Sequence, residues 1–156
     1  MSAARPYWVA IVLLTAGCVH VPESCPIGSA HAAVVNAGCL AVVKGRLLVV
    51  EDWRGKVTPP GGAGEAGEGG ECTAYRETWE ETGQLWQPME LLDDFGGQFY
   101  LYRCEPLGTL GPLSPPMWWE IRRARYISPA EFDEQNWRFP DQVDRVRQLF
   151  EQAVTE

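Results

Sequence analysis

The chain has 156 residues, 46% of them hydrophobic, which is enough for one globular domain with its own core. Its 21 acidic and 13 basic residues give a net charge of −8, which argues against a nucleic-acid polymer as partner, because a phosphate backbone calls for a basic surface. A small phosphorylated substrate stays compatible with an acidic site when metal ions stand between the two negative partners.

In chain order, the first stretch stands apart from the fold. Arg5 supplies a short basic region, and Tyr7 to Ala16 is an apolar run shorter than the roughly 20 residues of a membrane span. It ends in Leu14-Thr15-Ala16-Gly17-Cys18. Small residues before a cysteine resemble a bacterial lipobox, here with leucine one place early. The expectation is a signal peptide over residues 1–18, lipidation at Cys18, a linker over 19–32 and the domain over 33–156; an ordinary cleaved signal or an uncleaved anchor is the alternative. Either places the domain outside the cytoplasm. Val19 rather than Asp after the cysteine resembles Gram-negative lipoproteins of the outer membrane, so the expected address is the bacterial envelope, lipid-anchored and facing the periplasm. Apart from Cys18, four of the five cysteines remain: Cys25, Cys39, Cys72 and Cys104. In an oxidising compartment they can form two disulfides in three possible pairings, or they are buried thiols. His20 and His31 both precede the domain, and no Cys/His spacing suggests zinc.

Val34–Val43 and Arg46–Glu51 are β-rich runs joined at Lys44-Gly45, which reads as a hairpin. A glycine-punctuated loop follows, through Gly55, Gly61, Gly62, Gly64, Gly67, Gly69 and Gly70. Arg76 to Gly83 reads as helical, and Glu77, Glu80 and Glu81 share one face at i, i+3 and i+4. Cys72, Tyr75, Trp79 and Thr82 are expected on the opposite, buried face. Like charges at that spacing repel, and a bound Mg²⁺ or Mn²⁺ would offset the repulsion. Met89–Leu92 and Gln98–Cys104 are further strands. Glu105–Met117, with four prolines and two glycines, is a loop long enough to act as a flap near a site. Trp118–Ile127 is a late strand. Ser128-Pro129-Ala130-Glu131 is a capping box, and Asp141 begins a last helix with Val143, Val146, Leu149, Phe150 and Val154 at helical spacing. This element order suits a mixed sheet between helices rather than a repeated βαβ.

A bare Glu-x-x-Glu-Glu is most often a solvated acidic face. Here Gly62, Glu68, Arg76, Glu77, Glu80, Glu81 and Gly83 fill every fixed position of the Nudix hydrolase pattern, a chance match on the order of 1 in 10⁸ at ordinary residue usages. The chain therefore resembles a Nudix hydrolase, with Thr78 at a usually apolar site and Gln84 in place of the closing aliphatic residue, which puts packing at that helix end in question. The resemblance implies an α/β/α sandwich with a mixed β-sheet between helices. Glu51–Lys56 and Trp137–Gln142 also resemble runs of periplasmic Nudix domains.

By that resemblance, Glu77 and Glu81 are the firmest metal ligands, Glu80 a ligand or water-orienting group, and Arg76 a holder of carboxylates, with Glu68 as its partner or as an additional ligand. Gly62 would offer a backbone carbonyl and Glu120 an outer ligand to Mg²⁺ or Mn²⁺. The general base varies within the family and is not assigned. Trp53, Tyr100 and Arg123 are weaker candidates for binding substrate. The expected activity is metal-dependent hydrolysis of a diphosphate linkage in a small phosphorylated substrate, a nucleoside diphosphate joined to another group. The rivals are a non-catalytic Nudix-fold module that binds a nucleotide or lipid diphosphate, and a structural envelope lipoprotein with a merely solvated acidic helix. Nothing in the sequence fixes the oligomeric state.

Overall fold

Alternation along the first strand sorts the core into two layers, as a period of two requires. In β1 (Ala37–Val43), Ala37, Cys39 and Ala41 join Leu48, Ala74, Trp86, Tyr102 and Cys104 in a buried cluster beneath α1 (Gly70–Thr82). Leu40 belongs instead to a second cluster, with Leu47, Val49, Leu101, Ile127 and Phe132, beneath α2 (Pro129–Phe132) and α3 (Val143–Thr155). The computed structural model describes residues 25–26 and 35–155. The expected signal peptide, Cys18, most of the linker with His20 and His31, Val34 and Glu156 lie outside the described residues.

The Lys44-Gly45 turn has positive φ at both residues, 51° and 70°, the geometry that matches the twist of a two-residue hairpin. It joins β1 to β2 (Arg46–Asp52). The remaining strands are β3 (Val57–Thr58), β4 (Gly61–Gly62), β5 (Trp86–Asp93), β6 (Tyr100–Pro106) and β7 (Ile121–Ile127). Sheet order is β3-β2-β1-β6-β5, with β4 paired to β1 and β7 to β2. The β1–β6 pair is parallel and the others are antiparallel. This is the mixed sheet between helices expected for the Nudix sandwich.

Three elements differ from their expected form. Trp79 is only half-buried, and Thr78 takes the inner position with no exposure; Thr78 lies three residues after Tyr75 and four before Thr82, so it completes their stripe. The late strand begins at Ile121, because Trp118–Glu120 form a turn in which Glu120 N and Ile121 N both donate to Met117 O. Along α3 the inner face is Val143, Val146, Leu149, Phe150 and Ala153, while Val154 is 40% exposed. The Ser128 capping box is present, with Ser128 N donating to Glu131 at 2.7 Å.

The cysteine question is settled in favour of two disulfides. Cys39–Cys104 staples the parallel neighbours β1 and β6 on the α1 side, and Cys25–Cys72 ties the chain before the domain to the first turn of α1. Without reductant, thiol titration of the unfolded protein should find none of Cys25, Cys39, Cys72 or Cys104 reactive. Replacing Cys39 and Cys104 together with alanine should lower unfolding stability by about 2–5 kcal/mol, read by urea denaturation.

Candidate active site

The site grows from the last two turns of α1. The glycine-rich approach ends at Gly69, and the helix starts at Gly70 and stops at Gly83, whose φ of 74° is the left-handed C-cap. Within these bounds Arg76 is the hub. Its Nε and Nη2 donate to the two oxygens of Glu68 at 3.0 and 2.8 Å, and Nη1 donates to Glu77 at 2.9 Å and Glu80 at 3.0 Å. Nη2 also donates to Ala63 O at 2.8 Å, fixing the loop that precedes the helix. Glu68 is held further by Glu65 N and Thr73 Oγ1. Burial alone would raise the Glu68 carboxyl, but Arg76 and these donors bring it below the usual range.

Glu81 is the most enclosed carboxylate, 6% exposed, and accepts one hydrogen bond from Gly61 N at 2.8 Å. Burial pushes its carboxyl up to about 8; Gly61 N and Arg138 act against the rise, while Glu77 and Glu120 add to it. Burial also raises Glu77, opposed by Arg76 and assisted by Glu80 and Glu120. Glu80 is raised by burial, against Arg76. Gly62 forms the floor, where a Cβ would stand 2.5 Å from the Glu77 carboxylate. Only a residue without a side chain leaves that carboxylate its place beside the β4 backbone.

Among the described residues, no three acidic or His/Cys side chains are drawn close enough to cage an ion as they stand. The donor set nevertheless fits a hard divalent cation. It is all oxygen and holds like charges in partly buried space; burial, with neighbouring carboxylates adding to it, raises Glu77, Glu80 and Glu81, and a cation would offset both.

The expected residues are brought together unevenly. Gly62, Arg76, Glu77, Glu80 and Glu81 converge, and Glu120, although exposed, is near enough for its charge to act on both Glu77 and Glu81. Trp53 is 61% exposed beside the 117–120 turn, its Nε1 donating to Trp118 O at 3.1 Å. Arg123 is already engaged by the buried Glu51 carboxylate at 2.7 Å, together with Arg122 and Arg125. Tyr100 lines a different cavity, with Val35, Gly70, Glu71, Met89, Leu91 and Tyr102, at the opposite end of α1.

Two features had no sequence signal of their own. Arg138 acts electrostatically on both Glu81 and Asp52. A cavity of about 190 Å³ opens between the sheet and α3, lined by Phe95, Phe99 and Phe139, the amides of Asn36, Gln98 and Gln142, and Thr58, Pro59, Leu101 and Val146. Pro59 lies two residues before the Gly61 donor, and Phe139 follows Arg138, so the cavity and the carboxylates share their connecting backbone.

A family model described as the NUDIX domain matches residues 32–149. No curated protein sequence matches the chain. Among solved structures, a Streptococcus suis 89-1591 protein described as an ADP-ribose pyrophosphatase is 16% identical, with TM-score 0.58, over 74% of this chain and 90% of that one. A NUDIX hydrolase from Nitrosomonas europaea is 22% identical, with TM-score 0.60, over 74% and 88%. A structure described as a UDP-X diphosphatase is 19% identical, with TM-score 0.58, over 80% and 66%. At these identities the likeness to the solved structures is one of fold.

The raised Glu81 carboxyl fixes the sign of a pH effect in metal-free protein. Its folded value, about 8, lies above the ordinary carboxylate value of 4.5, so it favours the fold fully below that ordinary value. This contribution is lost as pH rises toward 8. Unfolding free energy without divalent cation should fall across that window, and the fall should be smaller in Glu81→Gln. Adding Mn²⁺ at pH 8 should restore stability to the wild type, read by thermal denaturation.

Proposed function

The chain belongs to the Nudix family, and from that premise we propose that it is a divalent-metal-dependent pyrophosphohydrolase, cleaving a diphosphate that joins a nucleoside to a second group. The observation that carries the reading is the buried Glu81 carboxylate, held by Gly61 N beside Glu77 over the Gly62 floor. A carboxylate is kept in such a place when something positive completes it.

Glu77, Glu80 and Glu81, with the Gly62 carbonyl and Glu120 at the rim, would hold Mg²⁺ or Mn²⁺. When bound, the metal supplies charge neutralisation of the diphosphate and a water made more acidic. The protein residues do the rest. Arg76 keeps Glu68, Glu77 and Glu80 in register, so ligand geometry is set before substrate arrives. Glu81, enclosed and held by Gly61 N, would be the most fixed of these ligands. Arg138, exposed, with its guanidinium over the Phe139 ring and its charge acting on Glu81, would meet a phosphate oxygen as charge develops on it.

The cavity by α3 supports a nucleoside as the first half of the substrate. Three phenylalanines offer flat apolar walls, and three amides offer both donors and acceptors to the edge of a base. Trp53, exposed beside the 117–120 turn, would meet the second half.

The proposed address is the bacterial envelope, with Cys18 lipidated and the domain facing the periplasm. Two disulfides support an oxidising compartment, and the Leu14–Cys18 run supports the anchor. No helix among the described residues is long and apolar enough to cross a membrane.

Incubated with nucleoside-diphosphate derivatives and Mg²⁺, the protein should release a nucleoside monophosphate. Glu77→Gln or Glu81→Gln should lower kcat by about 10²–10⁴-fold. Substrate binding without turnover in the wild type would instead favour the non-catalytic module. In the cavity, Phe139→Ala or Gln142→Ala should raise KM with little change in kcat, the pattern of lost uniform binding.

A further inference from the structure

Gln84 stands where the family pattern closes on an aliphatic residue, yet it is 4% exposed and carries a polar side chain into the core. Both ends of its amide are used. Nε2 donates to Gly111 O at 2.5 Å, and Oε1 accepts from Tyr126 Oη at 2.7 Å. Its backbone N donates to Thr82 Oγ1, which in turn donates to Thr78 O, so Gln84 is fixed to the last turn of α1. One side chain thus bridges three places: the end of the metal-ligand helix, β7, and the proline-rich loop 107–120.

That loop is bound to the same helix end twice more. Ser114 N donates to Thr82 O at 2.9 Å and Met117 N to Glu80 O at 3.0 Å, taking up carbonyls that the helix terminus leaves open. Ser114 O lies so close to Gly83 that a Cβ there has no room. Directly after Met117 comes the turn Trp118–Glu120, closed by Glu120 N and Ile121 N on Met117 O. The path from Gln84 to Glu120 is therefore continuous: amide to Gly111, strapped loop, Met117, turn.

We infer that Gln84 is a positioning residue, which by strapping loop 107–120 to the end of α1 holds Glu120 against the Glu77–Glu81 pair and so sets the affinity of the outer part of the metal site. The inference rests on the reading of Glu120 as an outer metal ligand. It explains why a polar residue occupies a position whose ordinary task is apolar packing. A leucine would fill the space but would leave Gly111 O and Tyr126 Oη without this partner; Gly111 lies on the exposed loop and Tyr126 on β7 is only partly buried, so water can serve both. Gln84→Leu should therefore fold, with the strap loosened rather than the core broken.

The test uses the full chain in detergent and reads Mn²⁺ affinity by electron paramagnetic resonance of free Mn²⁺, without substrate. Gln84→Leu should weaken Mn²⁺ binding about tenfold, the low end for groups that support metal ligands from outside. Tyr126→Phe, which removes one hydroxyl only, should weaken it in the same direction and covers the case in which Gln84→Leu does not fold. Glu120→Gln should weaken binding by at least as much, and Gln84→Leu in the Glu120→Gln background should add nothing further. Amide hydrogen exchange at Ser114 and Met117 should quicken in Gln84→Leu without metal. The inference is overturned if Gln84→Leu and Tyr126→Phe bind Mn²⁺ as the wild type does while Glu120→Gln binds more weakly. It is also overturned if the Gln84 and Glu120 losses multiply. If Glu120→Gln alone changes nothing, the reading of Glu120 as a ligand fails and takes the inference with it, whereas loss of Mn²⁺ binding in Glu81→Gln would leave the proposed function standing.

Discussion

Everything in this molecule answers to one electrostatic constraint: a single guanidinium, Arg76, is set among carboxylates that outnumber it. It contacts Glu68, Glu77 and Glu80 directly, and Glu81 lies one helix turn away without it. Burial works against the charge on this arginine, but its bonds to Glu68 and Glu77 outweigh that cost and raise its pKa. The carboxylates are less well served. Glu68 receives a full fork and sits below its ordinary value, whereas Glu77, Glu80 and Glu81 are raised. The protein thus divides its acids into one held below its ordinary value and three raised above it, with Glu80 adding to the rise of Glu77 and Glu77 to that of Glu81.

Such an arrangement needs a rigid mount, because uncompensated charge would otherwise be relieved by moving the side chains apart. The mount is the sheet. Cys39, Ala41 and Ala74 are small enough for α1 to lie close on β1, and Trp86 fills the larger gap beside them. Arg76 pins the incoming loop at Ala63 O, and Gly61 N reaches Glu81 from the other direction. Gly62 is the point where helix carboxylate and strand backbone meet with no side chain between. The crowding of charge is therefore enforced from both sides by hydrogen bonds, and relief through a cation becomes easier than relief through movement.

What was legible in the sequence is what local spacing controls. The carboxylate face, the Lys44-Gly45 hairpin and the Ser128 capping box are each set within a few residues of chain and found as expected, and the Arg76–Glu68 partnership that the Nudix resemblance implies is present as well. What was not legible depends on distant stretches meeting. The cavity by α3 draws on residues near 36, 58, 98 and 139, which share no pattern. Arg123, a candidate for binding substrate, is claimed by the buried Glu51 on the paired β2. Tyr100 follows β6 onto the α1 face and so opens at the far end of that helix. Trp118 and Trp119 have the composition of a strand, yet a turn closed on Met117 O displaces the strand start to Ile121.

The disulfides join the question of compartment to the question of the site. Cys25–Cys72 places a covalent link on the first turn of the helix that carries the carboxylates, and Cys39–Cys104 places another in the sheet layer directly beneath it. Both therefore stiffen the α1 side of the sandwich, and the α3 side, where the cavity opens, has neither. A cross-link acts by limiting the unfolded chain and by resisting local opening of the elements it joins. Their placement puts both cross-links on the half of the sandwich that must hold the like charges of α1 together.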